Sequence, residues 1–166
     1  MAFLLWDASA LAKRYLPELG SDTINALFSS GALAGMAVTT MGYAETLSVL
    51  SRRRNRGEVT AATFAEAKTL LREEVLDDPA FGLLTLDDIS VLDGLPFIER
   101  HNLNATDAAI LSLFLRLSRS AGFRNRRLIL IASDQRLLRA AEAEGLATLN
   151  PESVSPDEAR AILARE

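Results

Sequence analysis

Two spacings of apolar residues alternate along this chain. Blocks of strand length, FLLW at 3–6, MAVTT at 36–40, LILIAS at 128–133 and LATL at 146–149, are scarcely interrupted by polar residues. Runs of this kind predict strands buried on both faces, as in a parallel sheet. Between them the apolar positions recur at helical spacing, first over 8–16, then over 21–30 with Ser21 or Asp22 as cap, then over 42–54. Gly57 breaks that last stretch, and Thr60 is placed to cap a second helix through Phe64, Ala67, Leu71 and Val75. Residues 42–76 are therefore predicted to form a helical hairpin.

Further on, LLTL at 83–86 reads as a short strand and Asp87 or Asp88 as the start of a helix. Gly94 and Pro96 interrupt VLDGLPFIERH, so the pattern leaves its helix boundaries undrawn. A strongly helical run follows, with Asn104 or Thr106 as cap and Ile110, Leu113, Phe114 and Leu117 on one face. Helix 135–145, ended by Gly145, and a short helix after Pro156 complete the alternation. Strands alternating with helices imply an α/β sandwich around a mostly parallel sheet of four or five strands, in one domain spanning 1–166. The 166 residues, 49% of them hydrophobic, suffice for one core.

Composition narrows the chemistry. The chain has no cysteine and a single histidine, His101, which excludes disulfides and leaves no ordinary zinc site. Any metal must be held by oxygen. His101, alone before an apolar helix, reads as a surface or hydrogen-bonded residue. No apolar run approaches the eighteen or so residues of a membrane span, and the N-terminal segment has neither a basic leader nor an uninterrupted apolar core. No membrane association and a cytoplasmic location are the expectation.

The net charge of −4 does not mark a nucleic-acid binder as a whole, but arginines cluster at Arg52, Arg53, Arg54 and Arg56 and again at Arg124, Arg126 and Arg127. Solvated helix ends explain such clusters, and so does contact with phosphate, whose oxygens the guanidinium fork matches. Lys13 and Arg14 carry the same two readings. Trp6, Tyr15, Tyr43 and Phe114 fit core positions better than a base-stacking platform.

Among the 22 acidic residues, four stand where apolar sequence ends or a helix begins: Asp7 after FLLW, Glu45 in MGYAETL, Asp107 in NATDAAILSL and Asp134 after LILIAS. Taken singly, Asp7 and Asp134 can be helix caps and Asp107 can complement a helix dipole. Glu45, between Ala44 and Leu47, gains little unless it faces a polar site. In parallel α/β sheets ligands collect beyond the carboxyl ends of the strands, where Asp7 and Asp134 fall. Carboxylates gathered there repel one another unless a cation neutralises them, and magnesium or manganese suits an all-oxygen set.

The strings DASALAKRYLPELGS at 7–21, the Glu45 segment, TDAAIL at 106–111 and ASDQRLLRAAEAEGLATLNPE at 132–152 together resemble the PIN-domain ribonucleases, specifically the VapC-like toxins of toxin-antitoxin pairs. That resemblance implies a PIN-like three-layer α/β/α sandwich and a ribonuclease dependent on Mg2+ or Mn2+. It places the metal-binding and catalytic acids at Asp7, Glu45, Asp107 and Asp134, with Ser9 and Thr106 as accessory hydroxyls. It also implies an RNA substrate, a cognate antitoxin and a toxin homodimer, and the hairpin at 42–76 is the expected partner surface. One departure is DGLPFIERHNLNATD, since the family commonly runs an unbroken helix before its third acid. A haloacid-dehalogenase-like phosphatase would want a second aspartate where Ser9 stands. A catalytically silent PIN-like interaction module is the remaining alternative.

Overall fold

The computed structural model describes residues 2–30, 35–123 and 126–164. Strands β1 (Phe3–Trp6), β2 (Met36–Thr39), β3 (Gly82–Leu84), β4 (Leu128–Ile131) and β5 (Ala147–Leu149) form one sheet in the order β3-β2-β1-β4-β5. Every pairing is parallel, with Leu5 opposite Ala37 on one side and Leu130 on the other.

The near-continuous apolar blocks make sense because both sheet faces are covered. Leu4, Trp6, Met36, Val38, Ile129 and Ile131 point to one layer. There they meet helices α1 (Ala8–Leu11), α2 (Ser21–Ser29), α3 (Thr40–Asn55), α4 (Ala61–Arg72) and α8 (Pro156–Ala164). Leu5, Ala37, Leu128 and Leu130 point the other way, against α5 (Asp88–His101), α6 (Ala105–Arg119) and α7 (Gln135–Ala143). Alternate residues of each strand thus enter opposite cores, which is the period-two geometry of a strand. Trp6, Tyr15 and Phe114 are buried and Tyr43 packs against the first core.

Several local expectations are corrected. Helix 8–16 is only α1, followed by a 3-10 turn over Ala12–Arg14. That tighter turn carries Lys13 inward between Glu18 and Glu152, at 3.0 and 2.8 Å. Arg14 is likewise tied down, by Glu74 and Asn25. Neither cation is free for phosphate. The cap of α2 is Gly20, because the Ser21 hydroxyl donates instead to the Lys13 carbonyl at 2.7 Å. Asn104, rather than Thr106, caps α6.

The segment left undrawn is a continuous helix, α5, with Pro96 inside it. Asp87 caps it through Ser90 N at 2.9 Å, and the turn ends at Asn102 in the left-handed region. Gly94 is there for contact: a Cβ on it would lie 2.7 Å from the Ala108 carbonyl oxygen. Helix α5 can therefore lie directly against the first turns of α6, where Asp107 sits, and the run before that acid is unbroken.

Candidate functional site

Strand order reverses direction between β1 and β4, since β2 and β3 extend the sheet one way and β5 the other. A crevice opens beyond the strand ends at such a switch point. Asp7 leaves β1 there, its backbone N–H donating to the Ile131 carbonyl at 3.0 Å. Asp134 leaves β4 a few residues past the same point. The Ser9 hydroxyl joins the two chain segments, donating to Asp7 Oδ2 at 2.5 Å and accepting from Ser133 N at 2.9 Å and Asp134 N at 3.2 Å.

Both aspartates do cap helices. Asp7 Oδ2 accepts from Ser9 N at 2.8 Å, and Asp134 Oδ1 accepts from Arg136 N and Leu137 N at 2.8 and 3.1 Å. Asp107 Oδ2 accepts from the Asn104 side-chain amide at 2.8 Å, while Asn104 Oδ1 caps the Asp107 N–H. These side-chain contacts use one oxygen of each carboxylate, so capping and a further task are compatible. Glu45 is brought in by α3, whose cap Thr39 accepts from Gly42 N at 2.8 Å. A Cβ at Gly42 would come within 2.9 Å of Val38 and 3.9 Å of the Trp6 carbonyl, so a glycine lets the start of α3 sit down on the ends of β2 and β1.

The electrostatics join all four acids. Asp7 is buried, and desolvation holds its carboxyl above the ordinary range, with Asp134 adding to the rise against the opposing Ser9 bonds. Burial raises Glu45 too, followed by the charge of Asp7, while Arg52 opposes. Asp107 is pushed up to about 7 by burial and then by Asp7, Asp134 and Glu45, with Arg136 opposing. The acids from β1, α3, α6 and the β4–α7 junction therefore sense one another across the crevice. Among the described residues, however, no group of three acidic or histidine side chains is close enough to hold a metal ion directly. The chemistry of the set still fits a hard cation: only oxygens are offered, several are unspent by caps, and Asp107 ionises at a cost that nearby positive charge would relieve.

Of the accessory hydroxyls, Ser9 is at the centre of the crevice, whereas Thr106 is half-exposed in the first turn of α6 and makes no side-chain hydrogen bond to the four acids. The sequence did not single out Arg136 or the role of Asn104 beside Asp107. Arg136 follows Asp134 closely, which is the only local signal it carries. His101 contacts Glu144 at 2.8 Å and braces α5 on α7. A groove of about 630 Å³ lined by Leu92, Pro96, Phe97, Leu115, Arg116 and Arg119 lies between α5 and α6, away from the acids, and we place no chemistry in it.

No family model and no curated protein sequence matches this chain. Solved structures do match. The crystal structure of PAE2754 from Pyrobaculum aerophilum is similar with a TM-score of 0.63 at 19% identity, over 96% of this chain and 90% of that one. The crystal structure of FitAcB from Neisseria gonorrhoeae is similar with a TM-score of 0.63 at 16% identity, over 92% of this chain and 100% of that one. At such identities the likeness establishes architecture: an all-parallel, five-stranded α/β sandwich of the PIN-like class. No helix among the described residues is long and apolar enough to cross a membrane.

Proposed function

We propose that this chain is a magnesium- or manganese-dependent ribonuclease acting as the toxin of a toxin-antitoxin pair. What supports the reading is that Asp7 and Asp134 follow neighbouring strands at the switch point of a PIN-like sheet, that Glu45 and Asp107 lie near enough for the charges of these acids to act on one another, and that the Asp107 carboxyl is pushed up to about 7. These four acids are the residues that would hold the ion, in part through the waters that magnesium retains. The bound cation would supply Lewis acidity toward phosphoryl oxygens and an attacking water. Ser9 keeps Asp7 oriented and fixes the β4–α7 turn against it. Asn104 orients Asp107, whose carboxyl, raised by burial and by the neighbouring acids, would be held ionised by a bound cation.

The same reading assigns an antitoxin to the α3–α4 hairpin, where Met41, Leu70 and Leu76 are exposed, and a second copy of the chain to the Val91, Leu92 and Leu95 face of α5. Purified protein incubated with single-stranded RNA tests the activity. Cleavage with magnesium or manganese, lost on chelation and in Asp7→Asn, is the expected result. No cleavage with either ion at saturation would leave a binding module and sink the nuclease reading.

A further inference from the structure

The arginines around the crevice are not equivalent. Arg53 is paired with Glu18 and lies 3.9 Å from Glu58. Arg54 lies over the Phe64 ring at 4.6 Å and bonds Asn55. Arg56 lies 3.8 Å from Glu58. Arg52 has no ion pair or side-chain hydrogen bond among the described residues, and it is exposed two helical turns beyond Glu45 on the same face of α3. Across the crevice, exposed Arg136 stands at the start of α7 and reaches toward the Asn102 carbonyl at 3.5 Å, over the turn that leads to Asn104 and Asp107. Each guanidinium is near enough for its charge to act on an acid of the pocket, Arg52 on Glu45 and Arg136 on Asp107.

A negative pocket bounded by one guanidinium with no partner among the described residues, Arg52, and one held only by a long contact to a carbonyl, Arg136, suits a chain of phosphates better than a compact anion. In such an arrangement the acids would hold the cation that receives the central phosphate, and the arginines would receive its neighbours. We infer that Arg52 and Arg136 are the phosphate-binding residues that seat single-stranded RNA on either side of the cleaved bond. This rests on the ribonuclease reading for the substrate, but not for the binding itself. Arginine suits the task because its fork engages two phosphate oxygens at once. Arg53, Arg54 and Arg56 belong to the hairpin's own contacts, so the cluster contributes one phosphate ligand rather than a patch.

Fluorescence anisotropy with a fluorescein-labelled oligouridylate, in magnesium and on an Asp7→Asn background that keeps the strand intact, tests this. Arg52→Gln and Arg136→Gln should each weaken binding several-fold and lower the slope of log K against log salt by about 0.7, the value for one phosphate contact on a single strand. Arg52→Lys and Arg136→Lys should restore the slope, and Arg160→Gln on α8 should leave it unchanged. Glutamine variants that keep the parent affinity and slope would overturn the inference, as would a parent protein that does not bind the strand. RNA binding with these slopes but no cleavage by the unsubstituted protein would overturn the nuclease reading alone. Cleavage with arginine-independent binding would overturn this inference alone.

Discussion

The Ser9 hydroxyl lies 2.5 Å from Asp7 Oδ2 and at the same time accepts the Ser133 backbone N–H at 2.9 Å. One side chain thereby locks the turn after β1 to the turn after β4. Ser9→Ala would strand a backbone donor and remove a hydrogen bond that favours the charged form of Asp7. A loss of about 1–3 kcal/mol is expected in urea unfolding, with Ser9→Thr recovering part of it. Alanine at this position with unchanged stability would show that the lock is redundant.

The Asp107 carboxyl, pushed up to about 7 from the 3.8 of a free aspartate, makes stability depend on pH. Its folded value is raised, so between these two values the native state binds more protons than the unfolded chain. Stability must therefore fall as pH climbs from about 4 to about 7, then level off. Because the group is half-exposed, solvent screening reduces the effect to about 1–2 kcal/mol. Thermal melts in chelator should trace this decline, millimolar magnesium should flatten it, and Asp107→Asn should reduce it, leaving the smaller share that the raised Asp7 and Glu45 contribute. Melting points rising across that interval would contradict the assignment.

Gly94→Ala should be costly although the site is on a surface helix. The new methyl would meet the Ala108 carbonyl at 2.7 Å, against backbone that cannot rotate away. Separation of α5 from α6 is expected to destabilise the protein by about 1–3 kcal/mol. Since Asp107 precedes Ala108, metal affinity measured by calorimetry should weaken with it. Retention of both stability and affinity would mean that α5 carries no constraint on the acid.

Ion pairs should divide sharply by burial. The Lys13 side chain is 6% exposed between Glu18 and Glu152, and Lys13→Met leaves Glu152 without its cation. About 2–4 kcal/mol should be lost, against less than about 0.5 kcal/mol for Arg160→Ala, which breaks the exposed pair with Asp157. Chemical denaturation of the two variants side by side decides it, and equal losses would be inconsistent with a structural role for Lys13.

Much of the architecture was legible because it is written in short-range pattern. FLLW, MAVT and LILI are buried on both faces of a parallel sheet and so carry no polar alternation. Thr60, Asp87 and Asn104 announce their helices by local hydrogen bonds that any reader of caps can anticipate. Failures came where distant residues decide. Pro96 and Gly94 look like breakers in isolation, but packing on α6 overrides them. The Ser21 hydroxyl, a natural cap, is taken by the Lys13 carbonyl. Lys13 itself looks like a surface cation until its two glutamates arrive from Glu18 and Glu152.

The candidate site shows the same division. That Asp7 and Asp134 end strands is visible in the sequence, but that they end neighbouring strands at the reversal of sheet order is not. The four similar-looking arginines of the 52–56 cluster could not be sorted either, because Glu18, Glu58 and Phe64 select among them only in three dimensions. Arg124 of the second cluster lies outside the described residues, and Arg127 is engaged with the Ile162 carbonyl at 3.0 Å.

The pairing of β1 with β4 also sets a schedule for synthesis. Asp7, Glu45 and Asp107 all leave the ribosome before β4 does, yet Asp7 lacks its sheet neighbour, and Ser9 its amide donors, until the Leu128–Ile131 strand and the turn after it have emerged. The central strand of the sheet therefore waits for a partner that lies far downstream of it in the sequence. A nascent fragment ending before that point is a protein with three of its acids and no crevice, so whatever the pocket does to its surroundings begins only once β4 and the turn after it have been made.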